Sequence, residues 1–473
     1  MMTYTDDVVS FIQEGGRSPN GERSTTIHAV VDTFAVAAAA VPTPLGHTVR
    51  SILATPGSQA FWGARQTGSP VDAAFHNAVM AHALDFDDMT ESVRGHLSSV
   101  LLPGLFAALL DLPDEEAAGA TARFSHAYAV AAQVAGSLAA GLKLEGHYRR
   151  GWHSTTTIGT VAATAGIAHL LALSPQITRN AVGIAASSAS GLRQNFGSDT
   201  KALQVGSAAA NAVRAVQFAA QGLTADADSL GGPSGFLRVF GEPVDVESAT
   251  RALHGNAVID NPGVNVKLVP SCYELQRTAH AALQLRDRLP QSIDAIRVKL
   301  NRGATDPLIV RYPANGREAQ FSPAFVVGAA FVLGRLDLST FTDEMVLDPK
   351  IRKVASQVTV LEADAPTEST ITRARFAAVE VTGDGSTVQA VVDEAPGSAL
   401  LGLDRSDLRR KVLDCLSVIG RADLTDGLFQ AAHSLINDGK LAAIRDFMVE
   451  LGRPSTGPDD GAAEERNVNV TRI

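Results

Sequence analysis

The stretch TIGTVAATAGIAHLLAL, residues 157–173, is typical of the first half of the chain. It has the length of a helix and is rich in alanine, the best helix former, and its small side chains let neighbouring helices pack closely. Similar stretches between residues 25 and 230 occur at 27–41, 71–84, 126–142 and 202–222. Together they predict a large, nearly all-helical domain with buried small-residue contacts.

The pattern changes after Pro270, where strands begin to alternate with helices. Apolar and polar residues alternate, or flank a Gly-Asp-Gly turn signal, in strand-like segments at 296–300, 358–360, 377–381 and 387–392. Helical segments are expected between them at 272–289, 323–333 and 343–357. This mixture predicts an α+β domain with a half-buried sheet.

Helical patterns return near the end of the chain, at 404–419 and 423–451, and we expect these helices to rejoin the first domain. The predicted fold class is therefore mainly α with an α+β second domain. Two crossings between the domains would leave a cleft lined by both, a usual location for a small-molecule site. The expected parts are a helical domain at 1–269, the α+β domain at 270–395, returning helices at 396–455 and a disordered tail at 456–473.

Charge, cysteine content and hydropathy exclude several classes of partner. A net charge of −10 over 473 residues argues against nucleic acid, which needs clustered lysine and arginine. Cys272 and Cys415 match no disulfide framework or zinc motif, which favours the cytoplasm. Acidic residues precede the first short apolar run, the wrong order for a signal peptide, and no apolar stretch reaches about 18 residues. We predict a cytoplasmic protein without a membrane segment.

The first cluster of chemically active side chains is HALDFDDMT at 82–90, followed by GHLS at 95–98. Its carboxylates come at the end of a predicted helix, where they oppose the helix dipole and cost stability, so they indicate function. Two functional interpretations compete: a hard-metal site built on the three aspartates, and a hydrogen-bonded acid-base cluster. A third interpretation is that these charges are simply solvated in a surface loop.

A second cluster, YRRGWHSTTT at 148–157, joins cationic groups, an imidazole and hydroxyls before an alanine-rich helix. Helix capping explains the hydroxyls but not His153 close to Arg150, so we expect substrate contacts here. Two lone lysines, Lys201 and Lys267, lie in small or apolar surroundings. Each could extend to water, bind a substrate carboxylate or act as a general base.

These clusters, in this order, resemble the MmgE/PrpD family, which includes 2-methylcitrate dehydratase, cis-aconitate decarboxylase and iminodisuccinate epimerase. No single motif is specific, but five in order with similar intervals are a strong signal. The resemblance covers nearly the whole chain and implies a large helical domain plus a smaller α+β domain. The segments that correspond to the family's motifs are 82–90, 96–98, 151–155, 201–206 and 267–270.

The resemblance implies an enzyme that needs no cofactor and no metal, forms a homodimer and acts on a small di- or tricarboxylate. It assigns active-site positions to five residues, Asp85, His96, His153, Lys201 and Lys267, and to Thr90 displaced by one position. We expect the catalytic residues to be Asp85, His96, His153 and Lys267. We expect the substrate-binding residues to be Thr90, Arg150, Lys201, Gln204 and Cys272.

Departures from the family pattern bear on the reaction. Leu97 replaces a proline and Gln204 a histidine, while Cys272 and Phe325 stand where the family's decarboxylases carry a histidine and a tyrosine. Phenylalanine can neither transfer a proton nor bind a carboxylate. The family's reactions all handle a proton on carbon next to a carboxylate, and these losses favour an epimerase of the iminodisuccinate type. The alternatives are a 2-methylcitrate-type dehydratase or an aconitate-type decarboxylase, both lyases, and a non-catalytic polycarboxylate-binding protein.

Overall fold

The computed structural model describes residues 2–16, 21–53, 55–364 and 375–453. The expected disordered tail at 456–473 lies outside these residues. Within the described ranges, no single helix is long and apolar enough to cross a membrane, although Glu22–Ala40 and Pro44–Ile52, bent by 91° at the break between them, meet the length and composition as a pair.

The first part of the chain forms helices joined by loops and one short ladder, in which β1 (Gln59–Ala60) pairs with β2 (Thr67–Gly68). Serine and proline mark the start of several helices. Ser69, for example, accepts a hydrogen bond from the Asp72 N–H and precedes a proline at the first helical position. The helices are α1 (Tyr4–Glu14), α2 (Glu22–Ala40), α3 (Pro44–Ile52), α4 (Pro70–His82), α5 (Ser98–Leu110), α6 (Asp114–Gly141), α7 (Leu144–Arg149), α8 (Ser154–Leu170), α9 (Pro175–Ser188), α10 (Asp199–Ala220), α11 (Phe236–Phe240) and α12 (Val246–Leu253).

Small residues let the central helices approach closely. An added Cβ at Gly166 of α8 would lie 2.8 Å from the Ala131 side chain of α6. At Gly206 of α10 it would lie 2.4 Å from the Val79 side chain of α4. Because α4 ends with a histidine and Lys201 lies in the first turn of α10, this close crossing also sets how two chemically active segments lie relative to each other.

The region after residue 269 contains a four-stranded mixed sheet with strand order β4-β3-β5-β6. β3 (Ala295–Asn301) pairs parallel with β4 (Val358–Ala363) and antiparallel with β5 (Ala377–Gly383), and β5 pairs antiparallel with β6 (Ser386–Val392). Alternate residues of β3 are buried, as expected for a half-buried strand. The helices of this region are α13 (Gln276–Leu285), α14 (Gly316–Ala319), α15 (Pro323–Leu333), α16 (Asp343–Leu347) and α17 (Pro349–Ala355).

Three helices follow the sheet, namely α18 (Arg405–Val418), α19 (Thr425–Asp438) and α20 (Leu441–Leu451). Their buried side chains belong to the same apolar core as those of α2, α6 and α8, whereas a second core lies within residues 269–392. The predicted fold class, mainly α with an α+β second domain, is confirmed.

Two segments predicted as single helices are divided in the structure. Segment 343–357 is divided because Pro349 has no backbone N–H and disfavours helical geometry at Asp348, whose carboxylate instead caps α17. Segment 423–451 is divided at Gly439, where a left-handed backbone with φ of 66° ends α19. The single-helix predictions for both segments were wrong.

Candidate active site

Asp85, in the loop between α4 and α5, is the electrostatic centre of the site. Lys201 donates to Asp85 Oδ1 at 2.8 Å. Lys267, which is completely buried, donates to the same oxygen at 3.1 Å and also to the Asp85 carbonyl. Burial acts to raise the pKa of Asp85, but the two lysines outweigh it, so this pKa lies well below its ordinary value. One carboxylate therefore gathers two ammonium groups from distant segments.

The backbone and the second oxygen of Asp85 are both unusual. Its φ of 47° is in the left-handed region, which is uncommon for residues other than glycine. Its Oδ2 is buried and has no hydrogen-bond partner among the described residues. Backbone strain and unmet polar atoms cost free energy and concentrate at functional sites. Both features favour a functional role for Asp85.

His96 is a neutral imidazole with a free ring nitrogen. Its Nδ1 lies 2.8 Å from the carbonyl oxygen of Asp88, and because a carbonyl can only accept a hydrogen bond, Nδ1 carries the proton. Burial lowers the pKa of His96 to about 3, so the ring is neutral near pH 7. Nε2 is then an unprotonated acceptor, 3.9 Å from Asp85 Oδ1.

His153 has the same tautomer, which Gln204 imposes. The Leu192 N–H donates to Gln204 Oε1 at 3.1 Å, and Gln204 Nε2 donates to the Leu192 carbonyl at 3.2 Å, which identifies the two ends of the amide. His153 Nδ1, 2.9 Å from Gln204 Oε1, must therefore be a donor. Burial lowers the pKa of His153 well below its ordinary value. Its Nε2 is buried without a partner in the described part of the chain and is free to act as a base.

His82, the last residue of α4, completes a group of three imidazoles. Its ring centroid lies 4.7 Å from that of His96 and 6.1 Å from that of His153. Its Nδ1 donates to Asp87 Oδ2 at 2.8 Å. Burial acts to raise the pKa of Asp87, but His82 and His96 outweigh it and hold that pKa well below its ordinary value. The predicted site residues do not include His82. Its position at the start of the aspartate-rich segment 82–90 could have indicated its role.

Asp88 differs from Asp85 and Asp87 in its charge state. Burial raises the pKa of Asp88 to about 7, against the hydrogen bonds from Ser98 and with help from nearby carboxylates. Ser98 donates to it from its N–H at 3.4 Å and from its hydroxyl, which is also 2.7 Å from the Tyr128 hydroxyl. Asp88 therefore exchanges a proton close to neutral pH.

A cavity of about 780 Å³ opens beside the loop that carries these residues. Its walls come from the loop at Glu91, Ser92 and Arg94, from the ends of α6 and α12, and from the α+β part at Glu274 and Arg302. Both parts of the fold contribute walls, as expected for a cleft between domains. The side chains that converge on Asp85 are not among its lining residues, whereas the loop residues next to them are.

Two family models match successive parts of the chain. The MmgE/PrpD N-terminal domain matches residues 17–249, and the MmgE/PrpD C-terminal domain matches residues 269–430. This chain belongs to the MmgE/PrpD family. The resemblance inferred from the five motifs is therefore confirmed.

This MmgE/PrpD protein is similar to two kinds of lyase. The cis-aconitate decarboxylase of Mus musculus is 26% identical over 383 residues, which are 77% of this chain and 76% of that protein. The cis-aconitate decarboxylase of Homo sapiens shows the same identity and coverage. The 2-methylcitrate dehydratase of Cupriavidus necator is 26% identical over 364 residues, which are 71% of this chain and 73% of that protein.

Besides Lys201, three other predicted substrate-binding residues of this MmgE/PrpD protein lie at or beside the group of side chains around Asp85. Gln204 holds His153, as described above. Cys272 is buried, and burial together with the charge of Asp85 raises the pKa of its thiol to about 12, so it stays a thiol. The hydroxyl of Thr90 is buried and unpartnered in the described ranges.

Two residues singled out in the sequence lie apart from the group of side chains around Asp85. The Arg150 guanidinium donates to the Phe240 carbonyl at 2.5 Å and pairs with Glu242 at 3.2 Å. The substrate contact expected for Arg150 is not supported, because its charge is directed to these acceptors. Phe325 is completely buried in the core of the α+β part, with its ring 5.8 Å from that of Phe341.

Four side chains of the MmgE/PrpD site could also hold a divalent cation. His82, Asp85, Asp87 and His96 each offer a ligand atom, and these atoms all lie within 4.8 Å of one another. Two lysine ammonium groups already lie on Asp85 Oδ1, so a cation bound through that atom would face two like charges. The lysines therefore favour the hydrogen-bonded interpretation of the cluster over the metal interpretation.

Proposed function

We propose that this MmgE/PrpD protein is a hydro-lyase that removes water from a small di- or tricarboxylate by acid-base catalysis. The observation that carries the proposal is the free Nε2 of neutral His153 in a buried site that also contains the ammonium groups of Lys201 and Lys267. A neutral imidazole can take a proton from carbon, and ammonium groups stabilise the negative charge that develops on an adjacent carboxylate.

In the proposed reaction, a single group, His153, carries out both proton transfers. His153 Nε2 takes the proton from the carbon next to a carboxylate held by Lys201 and Lys267, and the electron pair moves into that carboxylate. The pair then returns to form a carbon-carbon double bond as hydroxide leaves the neighbouring carbon. Protonated His153 gives its proton to the hydroxide, so water and an unsaturated acid are released and the enzyme is restored.

The relatives support the lyase class, since they are named as a decarboxylase and a dehydratase. Cys272 and Phe325 favour dehydration over decarboxylation, because they stand where the decarboxylases of the family are expected to carry a histidine and a tyrosine. The burial of Phe325 in an apolar core is consistent with the loss of a polar role at that position.

A second candidate is an epimerase acting on an iminodisuccinate-like dicarboxylate. An epimerase needs a base on one face of the carbon and an acid on the other. His96 and His153 both have an unprotonated Nε2, and the ring of His82 lies close to both. One of His96 and His153 would take the α proton, and the other, once protonated on Nε2 by solvent, would return a proton to the opposite face, so the epimerase stays the alternative to the hydro-lyase.

Mass spectrometry of a panel of di- and tricarboxylates in deuterated buffer separates these reactions. A hydro-lyase converts one panel member into an acid that is lighter by one water and absorbs in the ultraviolet. An epimerase incorporates solvent deuterium at the α carbon with no other change of mass, and a decarboxylase releases carbon dioxide. Binding without turnover of any member would leave a polycarboxylate-binding protein and overturn the proposal.

Chelation tests the metal interpretation in the same assay. We expect turnover to persist after exhaustive treatment with EDTA, because the aspartates are held by lysine, histidine and serine donors. Loss of turnover that a divalent cation restores would instead favour the metal site.

We infer further that the enzyme works in the cytoplasm as a homodimer. The location rests on the absence of a disulfide framework in the sequence, and the dimer on the family resemblance. Sedimentation equilibrium should report twice the mass of the chain, and a single-chain mass at assay concentration would contradict the dimer.

A further inference from the structure

Three successive carbonyl oxygens in the loop after α4 each accept a hydrogen bond from a side chain at least 182 positions away in sequence. The pairs are Gln320 Nε2 with the Leu84 carbonyl at 2.5 Å, Lys267 Nζ with the Asp85 carbonyl, and Lys411 Nζ with the Phe86 carbonyl at 2.6 Å. The middle residue of the three is Asp85, whose backbone is left-handed. The donors therefore support a strained backbone at the residue that gathers the two ammonium groups.

The Leu84 carbonyl has a direct influence on the backbone of Asp85. A peptide group is planar, so the Leu84 carbonyl lies in the same plane as the Asp85 N–H. Holding that carbonyl fixes one of the two planes that define the φ of Asp85, which is 47°. The donor to the Leu84 carbonyl is therefore placed to maintain this unusual conformation.

Gln320 is the uncharged member of the three donors. Its Nε2 also lies 3.3 Å from the Pro270 carbonyl oxygen, and because both acceptors are carbonyls, this end of the amide is its NH2 group. The side chain is buried. An amide neither carries charge nor titrates near neutral pH. Gln320 therefore affects the position of the loop and not the charge of the site.

Gln320 lies at the C-terminal end of α14, in a segment of the α+β part that reaches the site. Before it, Arg317 pairs with Asp199, in the first turn of α10, at 2.5 Å. After it, the ring centroid of Phe321 is 5.1 Å from Lys201 Nζ. Segment 317–321 thus contacts both the loop that carries Asp85 and the helix that carries Lys201.

We infer that Gln320 is a positioning residue, through which the α+β part fixes the backbone turn at Asp85 and keeps its carboxylate within reach of Lys201 and Lys267. The kinetic test of this role rests on the proposed function, because it needs a substrate that turns over. Chemical labelling of the two cysteines tests the same role without a substrate.

Gln320→Met keeps the length of the side chain and removes its N–H donors. For the panel member that turns over, we expect kcat to fall about 10- to 100-fold, the usual cost of misplacing a catalytic group by about an ångström. The pH dependence of kcat/KM should not move, since no titrating group is removed. Steady-state kinetics across a range of pH measure both quantities.

Gln59 provides the matched control. It is also buried, and its Nε2 donates to the Ala107 carbonyl at 2.8 Å, near the end of α5 that lies away from His96. Gln59→Met removes the same kind of donor from a buried carbonyl outside the site. It should lower the thermal midpoint about as much as Gln320→Met does and leave kcat unchanged.

Cys272 and Cys415 report local exposure. The Cys272 N–H donates to the Gln320 carbonyl at 2.8 Å, whereas Cys415 lies in α18. Both thiols are buried, and burial raises the pKa of each to about 12, so their rates of labelling by iodoacetamide depend on exposure. Gln320→Met frees segment 270–272 from the loop and should speed the labelling of Cys272 but not of Cys415. Gln59→Met should speed neither, as measured by peptide mass spectrometry.

If Gln320→Met does not fold, Gln320→Asn makes the same test, because its amide is one methylene too short to reach the Leu84 carbonyl. A native kcat in the variant, a loss of kcat that Gln59→Met shares, or labelling that rises equally at both cysteines would overturn the inference. Selective labelling of Cys272 in the variant, when the native protein turns over no panel member, would support the inference and sink the proposed function. Turnover by the native protein, with labelling of Cys272 that is indifferent to Gln320, would do the reverse.

Discussion

At the scale of single residues, Lys267 is completely buried and donates hydrogen bonds to both the side chain and the carbonyl of Asp85. Lys267→Met keeps the stem and its packing but removes a charge from a buried site, where charge is worth more than at the surface. We expect turnover to fall at least about 100-fold. The thermal midpoint should change little, because Lys201 still pairs with Asp85. Steady-state kinetics and a thermal melt measure both quantities.

Lys267→Arg separates two roles for this lysine, because guanidinium can bind a carboxylate but cannot act as a base near neutral pH. Retained turnover would assign an electrostatic role, and loss of turnover with intact binding would assign a base. If Lys267→Met keeps most of its turnover the residue is not catalytic, and if it unfolds the protein the lysine is structural.

Gln204 controls the protonation of His153, so changing its charge should move the pH dependence of the reaction. In Gln204→Glu a carboxylate accepts from His153 Nδ1 and raises the pKa of the imidazole. The base must be neutral to work, so the acidic limb of kcat/KM should move to higher pH. Gln217→Glu, on the exposed face of the same helix, is the matched control and should leave the limb in place. Identical profiles for all three proteins would remove His153 from the role of base.

Asp88 should make stability depend on pH between about 4 and 7. Its pKa in the folded protein is about 7, above its ordinary value of 3.8, so in that range the folded protein keeps a proton that the unfolded chain releases. The free energy of unfolding therefore falls as pH rises through this window. Asp88→Asn lacks the titration, so its thermal midpoint should exceed that of the native protein above pH 7 and approach it below pH 4. Parallel midpoints at every pH, like those expected for exposed Asp111→Asn, would contradict the raised pKa.

At the scale of elements, the crossing of α4 and α10 depends on Gly206. An alanine Cβ there would lie 2.4 Å from the Val79 side chain and 2.8 Å from the Phe75 carbonyl oxygen, so the helices must separate. We expect Gly206→Ala to lose about 1–3 kcal/mol of stability, typical of overpacking. Turnover should fall as well, because α4 carries His82 and α10 carries Lys201. Urea unfolding and steady-state kinetics measure the two effects.

Gly104→Ala in α5 is the matched control, since the nearest atom to its Cβ would lie at 3.4 Å, an ordinary contact. Alanine favours helix over glycine by up to about 1 kcal/mol, so this variant should be as stable as the native protein or more stable. Equal stability of the two variants would show that the α4 and α10 crossing is not tight.

At the scale of the whole molecule, Lys411 of α18 connects the helices that follow the sheet to the loop that carries Asp85. It donates to the Phe86 carbonyl at 2.6 Å across 325 positions of sequence and pairs with Asp32 at 2.5 Å, and both side chains are buried. Lys411→Met leaves Asp32 as an uncompensated buried carboxylate and should lose about 3–5 kcal/mol. The double variant Lys411→Met/Asp32→Asn should recover much of this loss. Urea unfolding of the four proteins in this cycle measures the coupling, and simple additivity would contradict the ion pair.

Local patterns determined most of the element types, because helix and strand periodicity depends on residues only a few positions apart. The alanine-rich stretch 157–173 overlaps α8 over most of its length, and the alternating segment 296–300 lies inside β3. Pro349 and Gly439 are also local signals, yet the apolar pattern continues across both and conceals the breaks. The motif order was likewise sufficient to identify the family.

The meeting of particular side chains was decided only by the tertiary structure. The motifs name Asp85, Lys201 and Lys267 but not that both ammonium groups share one oxygen, and no pattern indicates that Gln204 sets the tautomer of His153. Nor does any local signal bring Arg94 and Arg193 over one ring. A hydrophobic pattern reports that a face is buried, not what it is buried against. Polar partners inside the protein depend on where helices cross, and those crossings are set by close packing of side chains far apart in sequence.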